Sequence, residues 1–204
     1  MKGTLKLIFV VLAATLLSCE EKPKSLPFIG HYDVVDGDTI YPQIPDFSFI
    51  DQDSNIITNK TFENGIYVAD FFFTHCPTIC PKVSANMLRL QEAFSQYPNF
   101  RLLAHTVDVK NDTIPRLKEY AEKIQANTKV FHFVTGREDD IYEIADDYYS
   151  IARKDPTVPG GFDHSGRIIL IDQNRHVRSF CDGTDNEDVN RFIEDIRFLL
   201  DQSK

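Results

Sequence analysis

Positive charge is scarce in this sequence. Its 204 residues carry 22 Lys and Arg against 31 Asp and Glu, which gives a formal net charge of −9. Affinity for nucleic acid depends on clustered basic side chains, and no segment here supplies a cluster, so a nucleic-acid partner is excluded. The length and the 42% apolar content suit one sizeable core and are too small for two comfortable domains. We therefore expect one domain.

The sequence also lacks an N-terminal hydrophobic run long enough to cross a membrane. Lys2 and Lys6 precede the mostly apolar, uncharged segment 7–17, and a helix of that length crosses about half of a roughly 30 Å hydrocarbon core. Residues 1–18 are therefore predicted to be a secretory signal peptide. The LLSC sequence ending at Cys19 resembles a bacterial lipoprotein signal, which implies lipidation of Cys19. Ordinary signal-peptide cleavage near the same place is the alternative.

These signals predict how the rest of the chain is organised. Residues 19–30 are polar and contain two prolines, as expected for a tether. Residues 31–204 are predicted to be the functional domain. The predicted location is the bacterial cell envelope, with the protein lipid-anchored to a membrane and the domain in the periplasm or otherwise outside the cytoplasm.

Cysteine is rare, and its number is odd once Cys19 is set aside. Cys76, Cys80 and Cys181 remain, and outside the cytoplasm thiols tend to oxidise, so two can pair and one is left over. We expect Cys181 to be a buried, inert thiol. The alternatives are an exchange partner for one of the other two cysteines and an exposed accidental thiol.

Strand and helix patterns alternate along most of the chain. Asp36 and Gly37 separate two short runs as in a tight hairpin, and the apolar run 66–73 predicts a central strand buried on both faces. Helix patterns follow at 81–97 and then after each of two further strands, and the chain closes with two antiparallel strands and a helix. This order predicts an α/β fold with a mixed central sheet, helices on both faces and an N-terminal β-hairpin extension.

Capping residues mark two of the predicted helix starts. Thr113 can cap a helix that carries Pro115 in its first turn. Thr184 and Glu187 have the spacing of a capping box before the last helix. Both helices are therefore predicted to begin next to a threonine.

The segment FFFTHCPTICP joins the buried strand to the next helix and contains two cysteines four positions apart. Cys76 and Cys80 have three residues between them, one more than a Cys-x-x-Cys pair, although Cα atoms within about 7 Å can still be bridged. The pair lies at the carboxyl end of a central strand, where open α/β sheets place their sites. We expect the helix amino terminus to lower both thiol pKa values. A structural disulfide, a redox pair and half of a metal site all remain open.

The cysteine segment resembles the CPxxCP signature of the SCO/SenC family of copper chaperones. The likeness continues through VDVKNDTIPRLKEYA, FHFVTG, FDHSGRIILID and the last helix, and it covers roughly residues 40–200. It implies a thioredoxin-like fold and copper, Cu(I) or Cu(II), held by Cys76, Cys80 and His164. It also implies a metallochaperone rather than an enzyme, which delivers copper to the dinuclear centre of cytochrome c oxidase. The implied partners are the copper-bearing oxidase subunit, a thioredoxin-like reductant and a membrane.

Two other functions compete with copper delivery. The first is a thiol:disulfide oxidoreductase that uses Cys76 and Cys80 to reduce the copper-site cysteines of the oxidase subunit. Thioredoxin-like reductases carry a proline just before the strand that flanks their site, whereas this sequence has His164 in that region. The second is a peroxidase, for which Thr74 is present but no arginine is nearby in sequence.

Other polar residues near the motif have simpler predicted roles. His75 is expected to line the mouth of the site, with an auxiliary ligand as the alternative, and Asp163 could orient the His164 imidazole. Asp108 and Asp112 are expected to cap and turn the loop after the next strand. Two histidines within predicted strands, His105 and His132, are interpreted as structural.

Overall fold

The computed structural model describes residues 25–202, which form an α/β fold around a seven-stranded sheet. The sheet order is β11-β10-β5-β6-β7-β3-β4, with β5, β6 and β7 parallel and the other neighbours antiparallel. The strands are β1 Asp33–Val35, β2 Asp38–Ile40, β3 Ser48–Asp51, β4 Ile56–Thr58, β5 Ile66–Phe72, β6 Phe100–Thr106, β7 Phe131–Thr135, β8 Ala152–Lys154, β9 Phe162–His164, β10 Arg167–Ile171 and β11 Val177–Asp182. The helices are α1 Cys80–Phe94, α2 Ile114–Lys123, α3 Glu138–Asp147 and α4 Asn186–Gln202.

Strand β5 is the buried centre of this sheet, as its apolar sequence predicts. All seven of its residues are buried. Successive side chains of a strand point to opposite faces: the Phe72 ring lies 5.3 Å from Tyr120 of α2, whereas the Phe71 ring lies 5.9 Å from Tyr148, which follows α3. Helical segments therefore cover both faces, and the predicted mixed sheet is confirmed.

Helix α1 carries the second cysteine at its first residue. Pro81 lies in its first turn, where a missing backbone N–H costs nothing. The predicted apolar stripe is buried as expected: Val83, Met87, Leu90 and Phe94. The helix ends at Phe94, three residues before the predicted end. Ser84 contacts Tyr120 of α2 through a 2.7 Å hydrogen bond, so α1 and α2 lie side by side.

Neither threonine makes the capping hydrogen bond that the sequence predicts. Thr113 is at the N-cap position of α2, but its side chain makes no capping hydrogen bond. At α4 the Asp185 carboxylate accepts from the Glu187 amide at 2.8 Å, and the Thr184 hydroxyl instead donates to Asp182 at 2.7 Å. A carboxylate accepts an amide hydrogen bond more strongly than a hydroxyl does, which favours Asp185 as the cap.

The N-terminal hairpin is confirmed, and its chain contacts the domain earlier than expected. Strands β1 and β2 pair in an antiparallel register that places Asp36 and Gly37 in the turn, both with positive φ. Ile29 donates its amide to the Val177 carbonyl at 2.9 Å, and Arg178 binds the Leu26 carbonyl at 2.6 Å. Contact with the domain therefore begins inside the segment predicted to be a tether.

The predicted signal peptide and Cys19 lie outside the described residues. Among residues 25–202, no helix combines the length and the apolar content that a membrane crossing needs.

Candidate metal centre

The two motif cysteines lie in and just after the loop that leaves β5. The Cys76 amide donates to the Phe73 carbonyl at 3.2 Å, which turns the chain back toward the sheet. Cys80 opens α1, so the last turn of the loop brings both side chains under the same helix end. The side chains are 8% and 3% exposed, respectively, and both thiols are free. Two sulfur atoms therefore lie in a shielded but reachable position.

His164 reaches the two sulfur atoms from a short hairpin that the sequence did not predict. Strands β8 and β9 pair with Ala152 opposite His164. The His164 Nε2 atom lies 3.1 Å from the Cys80 sulfur and 3.7 Å from the Cys76 sulfur. All three donor atoms lie within 4.8 Å of one another. The structure thus brings together the three residues that the family resemblance implied as copper ligands.

Two glycines allow the His164 hairpin to lie directly against the cysteine loop. Gly160 has φ +88°, and a Cβ there would come within 2.7 Å of the Phe73 ring. Gly166 has φ +63°, and a Cβ there would lie 3.0 Å from Ile79. Both conformations favour glycine; a Cβ at Gly160 would clash with the Phe73 ring, and one at Gly166 would make a tight contact with Ile79. Close approach of the hairpin is therefore built into the sequence at these two positions.

The two thiols have opposite acidities. The pKa of Cys76 is lowered to about 3, mainly because the Cys80 side chain hydrogen-bonds to its sulfur and secondarily because His164 does. The pKa of Cys80 is raised, because its proton is held in that hydrogen bond and because it is buried. The expectation that the helix amino terminus lowers both pKa values is therefore wrong for Cys80.

The His164 ring is oriented by the backbone and not by Asp163. Its Nδ1 atom lies 3.4 Å from the Phe162 carbonyl oxygen, which accepts only from a protonated Nδ1, so Nε2 is the ring nitrogen that faces the sulfurs and would bind a metal. The Asp163 carboxylate instead binds Arg153 at 2.9 Å. The predicted role of Asp163 is wrong because adjacent residues on β9 point in opposite directions.

A second group of possible metal ligands lies beside the first. His75 Nε2 is 3.4 Å from Asp108 and its Nδ1 is 4.0 Å from Asp112. The Asp112 carboxylate already accepts hydrogen bonds from the Thr74 amide at 3.0 Å, the Thr74 hydroxyl at 2.6 Å and the Thr106 hydroxyl at 2.5 Å. Asp112 therefore fixes the start of the cysteine loop to β6. His75 is directed at these aspartates and is about half exposed.

Asp108 has the turn role that the sequence predicted. Its carboxylate accepts from the Asn111 side chain at 2.7 Å and from the Asn111 amide at 3.3 Å. These contacts close the loop between β6 and α2.

The remaining cysteine and the two strand histidines are structural, as predicted. Cys181 lies on β11 opposite Ile168 and is 1% exposed, and burial raises the pKa of its thiol. His132 binds Asp51 at 3.1 Å. His105 is fully buried against the Phe71 ring, and burial lowers its pKa to about 4.

The sequence reasoning missed Asp70, a carboxyl group in the middle of β5. It is 2% exposed, and its Oδ1 atom has no hydrogen-bond partner among the described residues. Burial raises its pKa to about 7, against the opposing influence of His164, and its charge in turn raises the pKa of Cys80. A single acid inside an otherwise apolar strand was a signal that could have identified it.

Comparison with known proteins gives one consistent family. A SCO1/SenC family lipoprotein from Bacillus anthracis is 30% identical, with TM-score 0.70 over 77% of this chain and 94% of that chain. BsSco, described as a member of the Sco family of cytochrome c oxidase assembly proteins with a disulfide switch, is 26% identical, with TM-score 0.68 over 78% and 94% of the two chains. These neighbours share the thioredoxin-like fold.

A sequence relative and a family model agree with these structures. A protein of Stutzerimonas stutzeri that is described as copper-binding is 28% identical over 147 residues, which are 66% of this chain and 67% of that protein. The SCO1/SenC family model matches residues 38–201, which include both cysteines of the motif and His164. The chain therefore belongs to the SCO1/SenC family.

Proposed function

We propose that this chain is a membrane-anchored copper-binding protein that delivers copper to the dinuclear copper centre of cytochrome c oxidase, or matures that centre. Cys76, Cys80 and His164 are the proposed ligands, and Cys19 is the proposed lipid anchor. The observation that carries the proposal is that two sulfurs and one imidazole nitrogen lie within 4.8 Å of one another. His164 is 88 residues from Cys76 and 84 residues from Cys80 in the sequence. The copper-binding and oxidase-assembly descriptions of the relatives support it.

The donor set suits copper in both of its biological oxidation states. Thiolates are soft ligands that select Cu(I), and imidazole suits Cu(I) and Cu(II) alike. Two thiolates sum with Cu(I) to −1 and with Cu(II) to zero, so neither state leaves a large buried charge. The low pKa of Cys76 keeps its sulfur in the thiolate form at neutral pH. Cys80 keeps its proton until the metal displaces it.

Copper delivery requires ligand exchange without a change in oxidation state. Thiolates bind the soft Cu(I) ion more strongly than imidazole does, so we expect His164 to leave first. A thiol or imidazole of the recipient then binds Cu(I). Each recipient thiol releases its proton as it binds. The Cys80 thiolate takes up a proton as its bond to copper breaks, whereas Cys76, with its low pKa, is left as a thiolate. One Cu(I) moves, and no electrons are exchanged.

Anaerobic Cu(I) titration of the reduced residues 25–204 tests the ligand set. We expect one tightly bound copper per chain, and His164→Ala should weaken it by at least about tenfold, or about 1.4 kcal/mol. His75→Ala is the matched control, because this neighbouring histidine faces the two aspartates. Equal affinity of the wild type and His164→Ala would contradict the three-ligand site.

A thiol:disulfide oxidoreductase is the second candidate, and the unequal thiols favour it. A low-pKa Cys76 can attack a disulfide of the oxidase subunit, after which Cys80 attacks the mixed disulfide. Two electrons then reduce the recipient pair while a Cys76–Cys80 disulfide forms, and a thioredoxin-like reductant would restore the thiols. Weak copper binding that is equal in wild type and His164→Ala, together with reduction of the recipient, would favour this candidate.

The anchor has a separate test. Lipidation requires the Cys19 sulfur, so Cys19→Ser should move the protein from the membrane fraction of its host to the soluble fraction. Unchanged membrane association would contradict lipidation at Cys19.

A further inference from the structure

A groove of about 480 Å³ opens beside the two thiols, between α1 and α2. Cys76 and Cys80 line it, and its walls include Ala85 and Leu88 of α1 and Ile124 at the end of α2. Ala85 is exposed, and the other two wall residues are half-buried. A groove with apolar side chains on both walls therefore opens beside the sulfurs.

Apart from the Cys76 thiolate, the charged side chains that line this groove are basic. Its lining includes the cations Arg116 and Lys123 and no Asp or Glu, although acids outnumber basic residues 31 to 22 in the whole sequence. Arg116 donates to the Thr74 hydroxyl at 3.3 Å and pairs with Glu119 at 3.3 Å. Lys123 makes no ion pair with any residue between 25 and 202. It is therefore free to meet a negative group from outside.

We propose that the groove is the surface on which the copper recipient docks, and that it binds a recipient segment with an apolar side chain beside one or more carboxylates. This inference rests on the proposed function, because it names the kind of partner that the copper site serves. The apolar side chain would lie between Ala85 and Leu88, and a carboxylate would pair with Lys123.

The size and position of the groove support one anchoring segment. Its volume lies within the range of small-ligand pockets, about 300 to 1,000 Å³, so it holds a few side chains and not a whole protein face. A few anchoring residues commonly supply most of the binding energy of a protein interface. Because Cys76 and Cys80 line the same groove, a segment docked there holds its own copper ligands next to the sulfurs.

Charge complementarity identifies the partner as acidic at this segment. Over most of its surface a chain with net charge −9 repels carboxylates, and the copper-loaded thiolates add negative charge. Lys123, which has no ion-pair partner among the described residues, offsets this repulsion within the groove. Such local complementarity chiefly sets the register and the association rate of a complex. The groove would therefore accept the acidic segment in one position.

Copper transfer between matched variants tests the proposal. The acceptor is the soluble copper-bearing domain of a bacterial cytochrome c oxidase subunit. It is mixed with one of three Cu(I)-loaded proteins: wild type, Lys123→Glu or Ala85→Glu. We expect both variants to lower the second-order transfer rate at least tenfold at low salt, and the Lys123→Glu difference to shrink in 1 M salt. Lys129→Glu, an exposed lysine outside the groove lining with the same charge change, should stay within twofold of wild type.

A neutral dithiol separates the groove from the copper site itself. All variants should release Cu(I) to dithiothreitol at the wild-type rate, because that acceptor needs access to the sulfurs and no docking. Equal transfer to the oxidase domain by wild type, Lys123→Glu and Ala85→Glu would overturn the docking surface and leave the proposed function intact. No transfer to the oxidase domain from wild type, with normal release to dithiothreitol, would overturn both.

Self-association is the remaining occupant to exclude. If sedimentation shows a dimer that Lys123→Glu dissociates while transfer to the oxidase domain is unchanged, the groove binds a second copy of this chain, and the proposal is wrong.

Discussion

Two groups of potential metal ligands lie next to each other in this protein, and they differ in the partners that their donor atoms already contact. In the group formed by Cys76, Cys80 and His164, the donor atoms face one another and are held mainly by mutual contacts of 3.1 and 3.7 Å. In the group formed by His75, Asp108 and Asp112, the carboxylates already accept hydrogen bonds from neighbouring threonine and asparagine groups.

The difference shows that proximity alone does not define a metal site. Both groups bring three ligating residues within 4.8 Å. The first offers soft sulfur donors that lose little when a metal replaces their contacts. The second would give up charge-assisted hydrogen bonds that fix the cysteine loop to β6, at a cost of about 1.5 to 3 kcal/mol each. One group is therefore suited to bind and release a metal, and the other to hold the first in place.

Replacing one sulfur ligand should change Cu(I) affinity more than any substitution in the neighbouring group. We expect Cys80→Ser to lower Cu(I) affinity at least about 1,000-fold, or about 4 kcal/mol, because a hydroxyl is a poor ligand for a soft ion. Asp108→Asn, in the neighbouring group, should stay within about threefold of wild type. Competition with a Cu(I) chelator measures both. The reverse order of the two effects would exchange the roles assigned to the two groups.

Asp70 has a carboxyl oxygen without a hydrogen-bond partner among the described residues, whereas Asp112 accepts three hydrogen bonds. This difference should appear in the pH dependence of stability. The pKa of Asp70 is raised from 3.8 to about 7, so between these values the folded protein binds a proton that the unfolded chain has lost. Metal-free wild type should therefore lose stability relative to Asp70→Asn as pH rises from about 4 to about 7, by up to about 4 kcal/mol, and the difference should stay constant above that range.

Urea unfolding of wild type and Asp70→Asn at several pH values measures this difference. Parallel stability curves for the two proteins between pH 4.5 and pH 8 would contradict the raised pKa.

The buried Asp112 carboxylate accepts three hydrogen bonds. Its replacement should destabilise the folded protein without changing copper binding. Asp112→Asn replaces an ionised acceptor of the two Thr74 groups and the Thr106 hydroxyl with an amide. We expect the free energy of unfolding to fall by about 2 to 3 kcal/mol at pH 7, with copper stoichiometry unchanged. Urea unfolding and Cu(I) titration measure the two quantities. Loss of bound copper from a folded variant would show that Asp112 belongs to the metal site.

The smallest effect is expected at Cys181. This thiol is buried on β11 and is absent from both ligand groups. Cys181→Ser should leave copper stoichiometry at the wild-type value in the same titration. A lower stoichiometry would mean that Cys181 exchanges with the motif cysteines.

Local sequence patterns predicted the elements that hold the cysteines. The apolar run of β5 and the spacing of Val83, Met87, Leu90 and Phe94 each describe burial within one element, which depends on residues close in sequence. The cysteine positions at the end of a strand and the start of a helix followed directly. Local patterns were sufficient to place both cysteines because β5, the cysteine loop and α1 follow one another directly in the chain.

Features that depend on distant segments needed the structure or the family resemblance. His164 was named only by that resemblance, because its hairpin is short and its position depends on Gly160 and Gly166 meeting the cysteine loop. Asp163 was assigned the wrong partner, since its contact with Arg153 crosses that hairpin. The bond between Arg116 and Thr74 joins residues 42 positions apart, so a search along the sequence found no arginine near Thr74.

The contact of Ile29 with Val177 has a consequence for how the molecule meets its surroundings. Val177, at the start of β11, pairs with Ile171 of β10, which in turn pairs with Tyr67 near the start of β5. The cysteines follow the opposite end of β5. The chain therefore enters the domain at the pole opposite the copper site. Cys19 precedes Leu26 by seven positions, a reach of at most about 25 Å. With Cys19 as anchor, so short a connection would direct the end of the domain that carries Cys76 and Cys80 away from the membrane, toward the aqueous side.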